Sequence, residues 1–398
     1  MSNCWAILIK HNSRDYITSI LQQDNKTYFS GRTSTLGKAG FIGCIENTEL
    51  DWSIIINGVN GVHAITTQNK HIVACGDKFI GKLNPQKREF TWTRGAKTIL
   101  RDISCDNNYC TICGENGTII KLSKETTIEK KLYIKTKTGE TPPQLYTTCL
   151  KKHKTIVAGI CTKLFGKGSE CFIGVLDKEL NPIWCAAIGG PRSDGFKSIC
   201  TIGKNIYACG WTESTNSEES SILVACFNQE NGTLKWCNTY SGKRSEKALK
   251  IITNGKHLYV TGTTNSPGKT SGFLLTLNKE NGETIDAETF TINKGKLTLN
   301  TAYLTPQGIL LAGKTSPNPY TSTGLIIHYP QNHTGNITIG DKQITIQKWT
   351  PKQTQWWPNE STLNPLTHKE KITYIKTFNI TTWYPRTRTG KEENTLIY

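Results

Sequence analysis

The chain has 398 residues, 36% of them hydrophobic and 20% charged, with a formal net charge of +17 at pH 7. That balance excludes a largely disordered chain. The length could hold two or three average domains, or one long repeat fold. No run approaches the roughly 18 consecutive apolar residues of a membrane-spanning helix, so no membrane span is expected.

The N-terminus, MSNCWAILIKHNSRDY, has one short apolar stretch, no basic region before it and no small-residue cleavage site. It reads as mature protein without a signal peptide, hence as cytoplasmic or virion-associated. Basic residues are scattered, and their clusters are pairs such as Lys130-Lys131 and Lys151-Lys152. A nucleic-acid surface needs them gathered on one face, so a nucleic-acid partner is not expected.

Seven short apolar runs then end in a glycine: Gly31, Gly76, Gly114, Gly159, Gly210, Gly262 and Gly313, at intervals of 45, 38, 45, 51, 52 and 51 residues. Each unit repeats one grammar. An apolar strand is followed by a polar turn, the strand that carries the glycine, a third strand (FIGCI, FIGKL, GTIIKL, CFIGVL, SILVACF, GFLLTL, GLIIHY) and a fourth, often with Trp. Short β-rich runs bounded by Gly, Asn, Asp and Ser, at this period, predict the four-stranded blades of a β-propeller. Two N-x-x-N-G strings, at Asn228–Gly232 and Asn278–Gly282, read as hairpin turns between third and fourth strands.

Trp5, Trp184 and Trp236 each stand ten residues before an acid (Asp15, Asp194, Glu246) and fifteen before an Ile (Ile20, Ile199, Ile251); Trp52 and Trp92 occupy the same column in shorter units. The first strand of the chain therefore aligns with a fourth strand, and the last unit lacks one. The expectation is an all-β, seven-bladed β-propeller over 1–330, closed by the N-terminal strand, which removes exposed sheet edges. From 331 the grammar changes, and 331–398 is expected to be a C-terminal β-rich extension. Its Trp349, Trp356, Trp357 and Trp383 are a candidate interaction surface through which protein partners, surface glycans or further copies of the chain assemble. The sequons at Asn332, Asn336, Asn359 and Asn379 are possible glycosylation sites.

The stretch 183–242, with IWCAAIGGPRSDGFKSI, IYACGWT and NQENGTLKW, resembles the β-propeller repeats of bacterial and archaeal proteins, whose pattern runs W…GG…D…SI…YxxGxT…N…G…W. The resemblance covers about 1–330 and not the tail. In that family the repeat is structural, so it implies no catalytic residue. The fourth-strand string is also similar to that of quinoprotein-type propellers, but the adjacent cysteines and acidic cluster of that group are missing. No Trp-Asp or Gly-His dipeptide marks a WD repeat.

Fourteen cysteines all lie at or before Cys237. Cys75, Cys113 and Cys209 precede marker glycines, and Cys185 and Cys237 follow Trp, so the columns read as small buried residues packed between blades. A disulfide network or a zinc site at the Cys110-x-x-Cys113 string is the alternative. Asp15, Asp194 and Glu246 should lie near one mouth of the channel, where carboxylates either bind a cation or basic ligand or cap their own loops. The Gly268-Lys269-Thr270 string has no helix after it to complete a phosphate loop, and no catalytic triad appears. The expected function is a non-catalytic binding or structural module, with no cofactor or metal, carried on a virion or cell surface as an attachment or spike component. The alternative is an enzyme with its site at the propeller mouth, a hydrolase or a quinoprotein-like oxidoreductase.

Overall fold

The computed structural model describes residues 4–383 apart from 12–13, 35–36, 136–140, 163–167, 216–217, 332–333, 357, 364–365 and 370–379. All regular structure among them is β-strand, in six sheets arranged as a propeller. The inner strands are Tyr16–Gln23, Val62–Gln68, the C-terminal part of Glu89–Cys105, Gln144–Lys151, Asp194–Ile202, Glu246–Thr253 and Lys296–Thr305. All seven contribute to the wall of one central channel.

Six sheets, rather than the seven separate blades expected, correct the count. Seven glycine-marked units are present, but two of them share one seven-stranded sheet. The strand Glu89–Cys105 is 17 residues long. Its first part pairs with His71–Asn84 as the outer strand of one unit, and its last part pairs with Tyr109–Gly114 as the inner strand of the next. The 38-residue interval from Gly76 to Gly114 is the shortest in the chain. It leaves no residues for a separate loop, so the strand runs through. The two halves still face each other across an apolar cluster built from Val73, Cys75, Leu100, Ile112 and Ile120. Six similar clusters fill the gaps between neighbouring sheets.

The ring closes where the register of the sequence places it. The N-terminal strand Trp5–Ile9 pairs antiparallel with Thr321–Tyr329 and is the outer strand of the last sheet, Ile7 lying opposite Ile326.

The strands after residue 331 make no sheet of their own among the described residues. The hairpin Gly335–Ile339 and Lys342–Lys348 pairs onto Thr284–Ile292. Lys352–Gln355 then pairs onto Leu234–Ser241, Asn359–Leu363 onto Pro182–Gly189, Leu366–Lys369 onto Ile128–Lys135, and Ile380–Trp383 onto Glu49–Ile56. The tail thus passes round the outside of the ring in reverse chain order and adds a strand to the edge of each sheet it reaches. An open edge is a row of unpaired backbone donors and acceptors, and this belt covers five such edges.

The repeated tryptophans pack between units. Trp184 donates its indole N–H to the Gln229 carbonyl at 3.0 Å, and Trp236 donates to the Lys279 carbonyl at 3.3 Å. Each indole lies over the N-x-x-N-G turn of the following sheet, where Gly232 and Gly282 have φ of +76° and +74°. Glycine is required there twice over: for the positive φ, and because a Cβ would sit 2.8 Å or 2.7 Å from the indole.

Candidate functional site

The marker glycines and the channel wall are one construction. A Cβ on Gly31, Gly76, Gly114, Gly159, Gly210, Gly262 or Gly313 would lie 1.8–2.2 Å from the carbonyl oxygen of Tyr16, Gly61, Ile99, Gln144, Gly195, Lys247 or Thr298 respectively. Only glycine lets the second strand approach the first so closely. Two residues after each of those carbonyls the pairing register shifts by a β-bulge. A bulge leaves one residue out of the ladder and re-aims its side chain. The seven bulged residues are Thr18, His63, Arg101, Tyr146, Lys197, Leu249 and Asn300, and all seven line the same constriction of the channel, a cavity of about 90 Å³. Beyond it the channel widens to about 460 Å³ between Ser19, Ile65, Ser104, Cys149, Thr201 and Lys250.

Cations and aromatic rings gather around this mouth. Lys197 Nζ lies 3.4 Å from the centroid of the Tyr146 ring and 5.2 Å from that of Trp211, while Lys247 Nζ lies 5.5 Å from Trp211 on the other side. Arg32 and Lys314 flank the Tyr16 ring at 5.6 and 5.3 Å. Burial, reinforced by the charges of Arg101 and Lys247, lowers the Lys197 pKa to about 8. Burial also lowers that of Lys314, with Arg14 and Lys296 adding to it. Neither lysine forms an ion pair among the described residues. Three carboxylates are nearby. Glu115 pairs with Arg101. Asp77 accepts from His63 Nε2 at 2.7 Å and lies 3.9 Å from Arg32; burial pushes its pKa up, but His63 and Arg32 pull it below the usual carboxylate range. Asp102 Oδ2 accepts from the Thr147 hydroxyl and the Thr148 N–H, both at 2.9 Å.

Of the two roles the sequence offers the repeated acids, the bonds they make are those of loop caps. Asp15, Asp194 and Glu246 are fully buried at the starts of their inner strands. Each accepts the backbone N–H four residues earlier, from His11 at 2.8 Å, Gly190 at 2.8 Å and Gly242 at 2.9 Å, and so closes the loop that enters the blade. They take no part in the constriction lining. In the tail, Trp349 is half-buried with its ring 5.7 Å from Phe273, and Trp356 packs against the cluster of Ile173 and Phe227, so both indoles fasten the belt to the blades. Trp383 lies in the strand paired with Glu49–Ile56. Asn336 is exposed, and Asn359 starts the strand on Pro182–Gly189. Trp357, Asn332 and Asn379 lie outside the described residues.

Cysteine usage is mostly packing. Cys75, Cys113, Cys185, Cys209 and Cys237 are buried and outside any disulfide. The C-x-x-C string is split, because Cys110 forms a disulfide with Cys105 across the hairpin while Cys113 stays a thiol. No group of three His, Cys, Asp or Glu side chains suited to a metal occurs among the described residues.

The bulge ring was legible in principle. Each of its residues stands thirteen places before a marker glycine. It escapes a search for motifs because no two of the seven are alike.

Fold and site together define a β-propeller with a basic, aromatic channel mouth. No protein-family model and no curated protein matches the chain, so the bacterial and archaeal repeat family that 183–242 resembles has no family-level match here. Among solved structures the chain is similar to the WD40 domain of Pan2 from Neurospora crassa, at 12% identity over 80% of this chain and 97% of that one, with a TM-score of 0.49. It is also similar to BamB from Moraxella catarrhalis, at 13% identity over 79% of this chain and 85% of that one, with a TM-score of 0.48.

Proposed function

We propose that the chain is a non-catalytic binding module that takes an anionic partner at the bulge-ringed mouth of its channel. In this reading residues 1–330 form the ring, and the described strands between Gly335 and Trp383 form a belt that braces it rather than a contact for a neighbour. One observation carries the reading. Every unit spends a bulge and a glycine to turn one side chain into the same opening, and those side chains differ from unit to unit. A column that served packing would repeat the same small set of residues, as the glycines do. A constant scaffold with a varied ring is how a site is built on a repeat fold. The cations around the ring set the sign of the partner's charge. A virion or attachment role draws no support from this geometry.

The enzyme reading has two observations in its favour. The first is His11, whose Nε2 lies 2.8 Å from Ser53 Oγ and whose Nδ1 lies 3.8 Å from Asp15 Oδ1, but Ser53 and Asp15 are fully buried away from any substrate. The second, at the mouth, is the His63 imidazole held by Asp77 at 2.7 Å. Nucleophilic catalysis at His63 also needs a hydroxyl or thiol on the other ring nitrogen, and none is hydrogen-bonded there among the described residues. Binding is therefore the stronger reading.

Retention on immobilised heparin tests it. A triple variant, Arg101→Gln, Lys197→Met and Lys247→Ala, should elute at clearly lower salt than the native chain. A second triple, Lys152→Ala, Lys204→Ala and Lys256→Ala, removes as much charge from the turns where inner strands end, and should elute close to native. Equal shifts in both would reduce the effect to bulk charge and overturn the proposal.

A further inference from the structure

The constriction has a definite size and charge. Its volume of about 90 Å³ corresponds to roughly three water molecules, which suits one small polyatomic ion. Arg101, Lys197 and Lys250 line or flank it, and Lys247 stands on the rim beside Trp211. Against these four cations stand two carboxylates, Glu115 on Arg101 and Asp102. Asp102 is turned toward the strand and bonded to Thr147 and Thr148. Arg32, His63 and Asp77 form a group that balances itself. One positive charge remains without a counter-charge among the groups of the constriction, where screening is weaker than in open solvent, and the exposed Lys247 adds a second at the rim.

Hydrogen-bond donors converge on the same space. Arg101 has a five-donor guanidinium, Lys197 and Lys250 each have an ammonium, Tyr146 and Thr18 have hydroxyls, and Asn300 has an amide whose N–H already reaches the Ile17 carbonyl at 2.8 Å. The Thr18 hydroxyl donates to the Val62 carbonyl at 2.6 Å, which leaves it an accessory rather than a lead. The lead groups are the guanidinium and the two ammoniums, a set that suits phosphate oxygens.

We propose that the constriction formed by Arg101, Lys197 and Lys250 is a site for one doubly charged oxyanion: inorganic phosphate, or the phosphate end of a phosphoester whose remainder lies on the Trp211 rim. The inference rests on the mouth being the ligand site and specifies the chemistry taken there. Two excess positive charges match a phosphate dianion. A carboxylate would compensate only one of them.

Calorimetric titration of the full chain with sodium phosphate at about pH 7 and low ionic strength tests the site. Saturable one-site binding is expected, weakened about tenfold or more by Lys197→Met. It should be unchanged by Lys256→Met, which lies outside the channel. Arg101→Gln also breaks the pair with Glu115, so Lys250→Met serves as the second variant, and melting curves show that each variant is folded. Phenyl phosphate distinguishes the two sources: tighter binding than phosphate assigns an ester, and equal binding assigns the free ion. Absence of saturable phosphate binding by the native chain, native-like binding by Lys197→Met, or competition by acetate at the same concentration would each overturn the site. If phosphate fails to bind while the mouth triple variant still loses heparin retention, the oxyanion site falls and the mouth reading stands.

Discussion

The ammonium of Lys197 stands 3.4 Å from the centroid of the Tyr146 ring, and the two residues are the bulges of adjacent units. A ring face favours a cation, yet burial among Arg101 and Lys247 dominates and holds the Lys197 pKa at about 8. Lys197 faces the Tyr146 and Trp211 rings and the charges of Arg101 and Lys247, shares its cavity with Lys250, Asp102 and His63, and burial raises the Tyr146 pKa. Lys197 is therefore charged below pH 8 and neutral above it. Phosphate affinity should fall by up to about tenfold per pH unit as pH rises past 8, and in Lys197→Met that fall should vanish. The linkage sign for stability is the opposite. An unfolded Lys keeps its proton to about pH 10.4, so between 8 and that value the unfolded state binds more protons and stability rises with pH. Titration calorimetry and chemical denaturation across pH 7 to 10 measure the two slopes.

Gly210 faces the Gly195 carbonyl so closely that a Cβ would lie 1.8 Å from it. The Gly210→Ala change must displace a backbone strand and should destabilise the protein by about 2 kcal/mol or more. Gly255 also has a positive φ but open space around it, and Gly255→Ala should cost only about 1 kcal/mol. Urea denaturation of the two variants ranks them. A Gly210→Ala protein as stable as Gly255→Ala would dissociate the glycine column from the bulge.

Twelve cysteines lie outside the disulfide, and only Cys4, Cys149 and Cys200 among them are partly exposed. Burial raises Cys185 to about 12 and holds Cys75, Cys113 and Cys171 well above the usual thiol range. Because the thiolate is the reactive form, native protein treated with iodoacetamide at about pH 8 should be labelled slowly, and only at Cys4, Cys149 and Cys200. Mass spectrometry should also recover Cys105 and Cys110 as one bridged peptide before reduction. Rapid labelling of Cys75 or Cys209 would contradict the packing between units.

The belt is pinned at Lys348, whose ammonium meets Asp286 at 2.5 Å and Glu288 at 2.8 Å. Glu288 is buried, and its one other hydrogen-bond donor of note is the Tyr329 hydroxyl at 2.9 Å. Burial raises the Glu288 pKa, partly offset by Lys348, so removing the lysine leaves a carboxylate that gains by shedding its charge. In Lys348→Met, amide hydrogen exchange should quicken across 342–355, while the inner strands keep native protection. Exchange that quickens evenly throughout would mean that the belt and ring unfold as one unit.

The glycine period was readable because it reports a contact inside one unit, two neighbouring strands too close for a Cβ, and that contact recurs wherever the unit recurs. The fate of Trp5–Ile9 was readable for a related reason, since its Trp-to-acid register already matched an outer strand. The number of sheets was not readable. A count of glycines counts units, and whether Glu89–Cys105 breaks between two units depends on how many residues separate them. The tail reads as β from its Thr, Ile and Trp content, but a strand does not declare which edge it will pair with. Asp15, Asp194 and Glu246 drew attention because they repeat, and they repeat because each closes the same loop.

What the sequence determined by itself was the unit: four short strands, a glycine where backbones touch, a tryptophan over the next turn, and an N-terminal strand in the register of a missing fourth. What only the tertiary structure decided was the convergence. Thr18, His63, Arg101, Tyr146, Lys197, Leu249 and Asn300 are spread over nearly 300 residues and are seven different residue types, yet they meet in one constriction. The reason is geometric. Local sterics fix the bulge within a unit, but only closure of the ring brings the bulges together, and the chemistry of the mouth is a property of that closed ring.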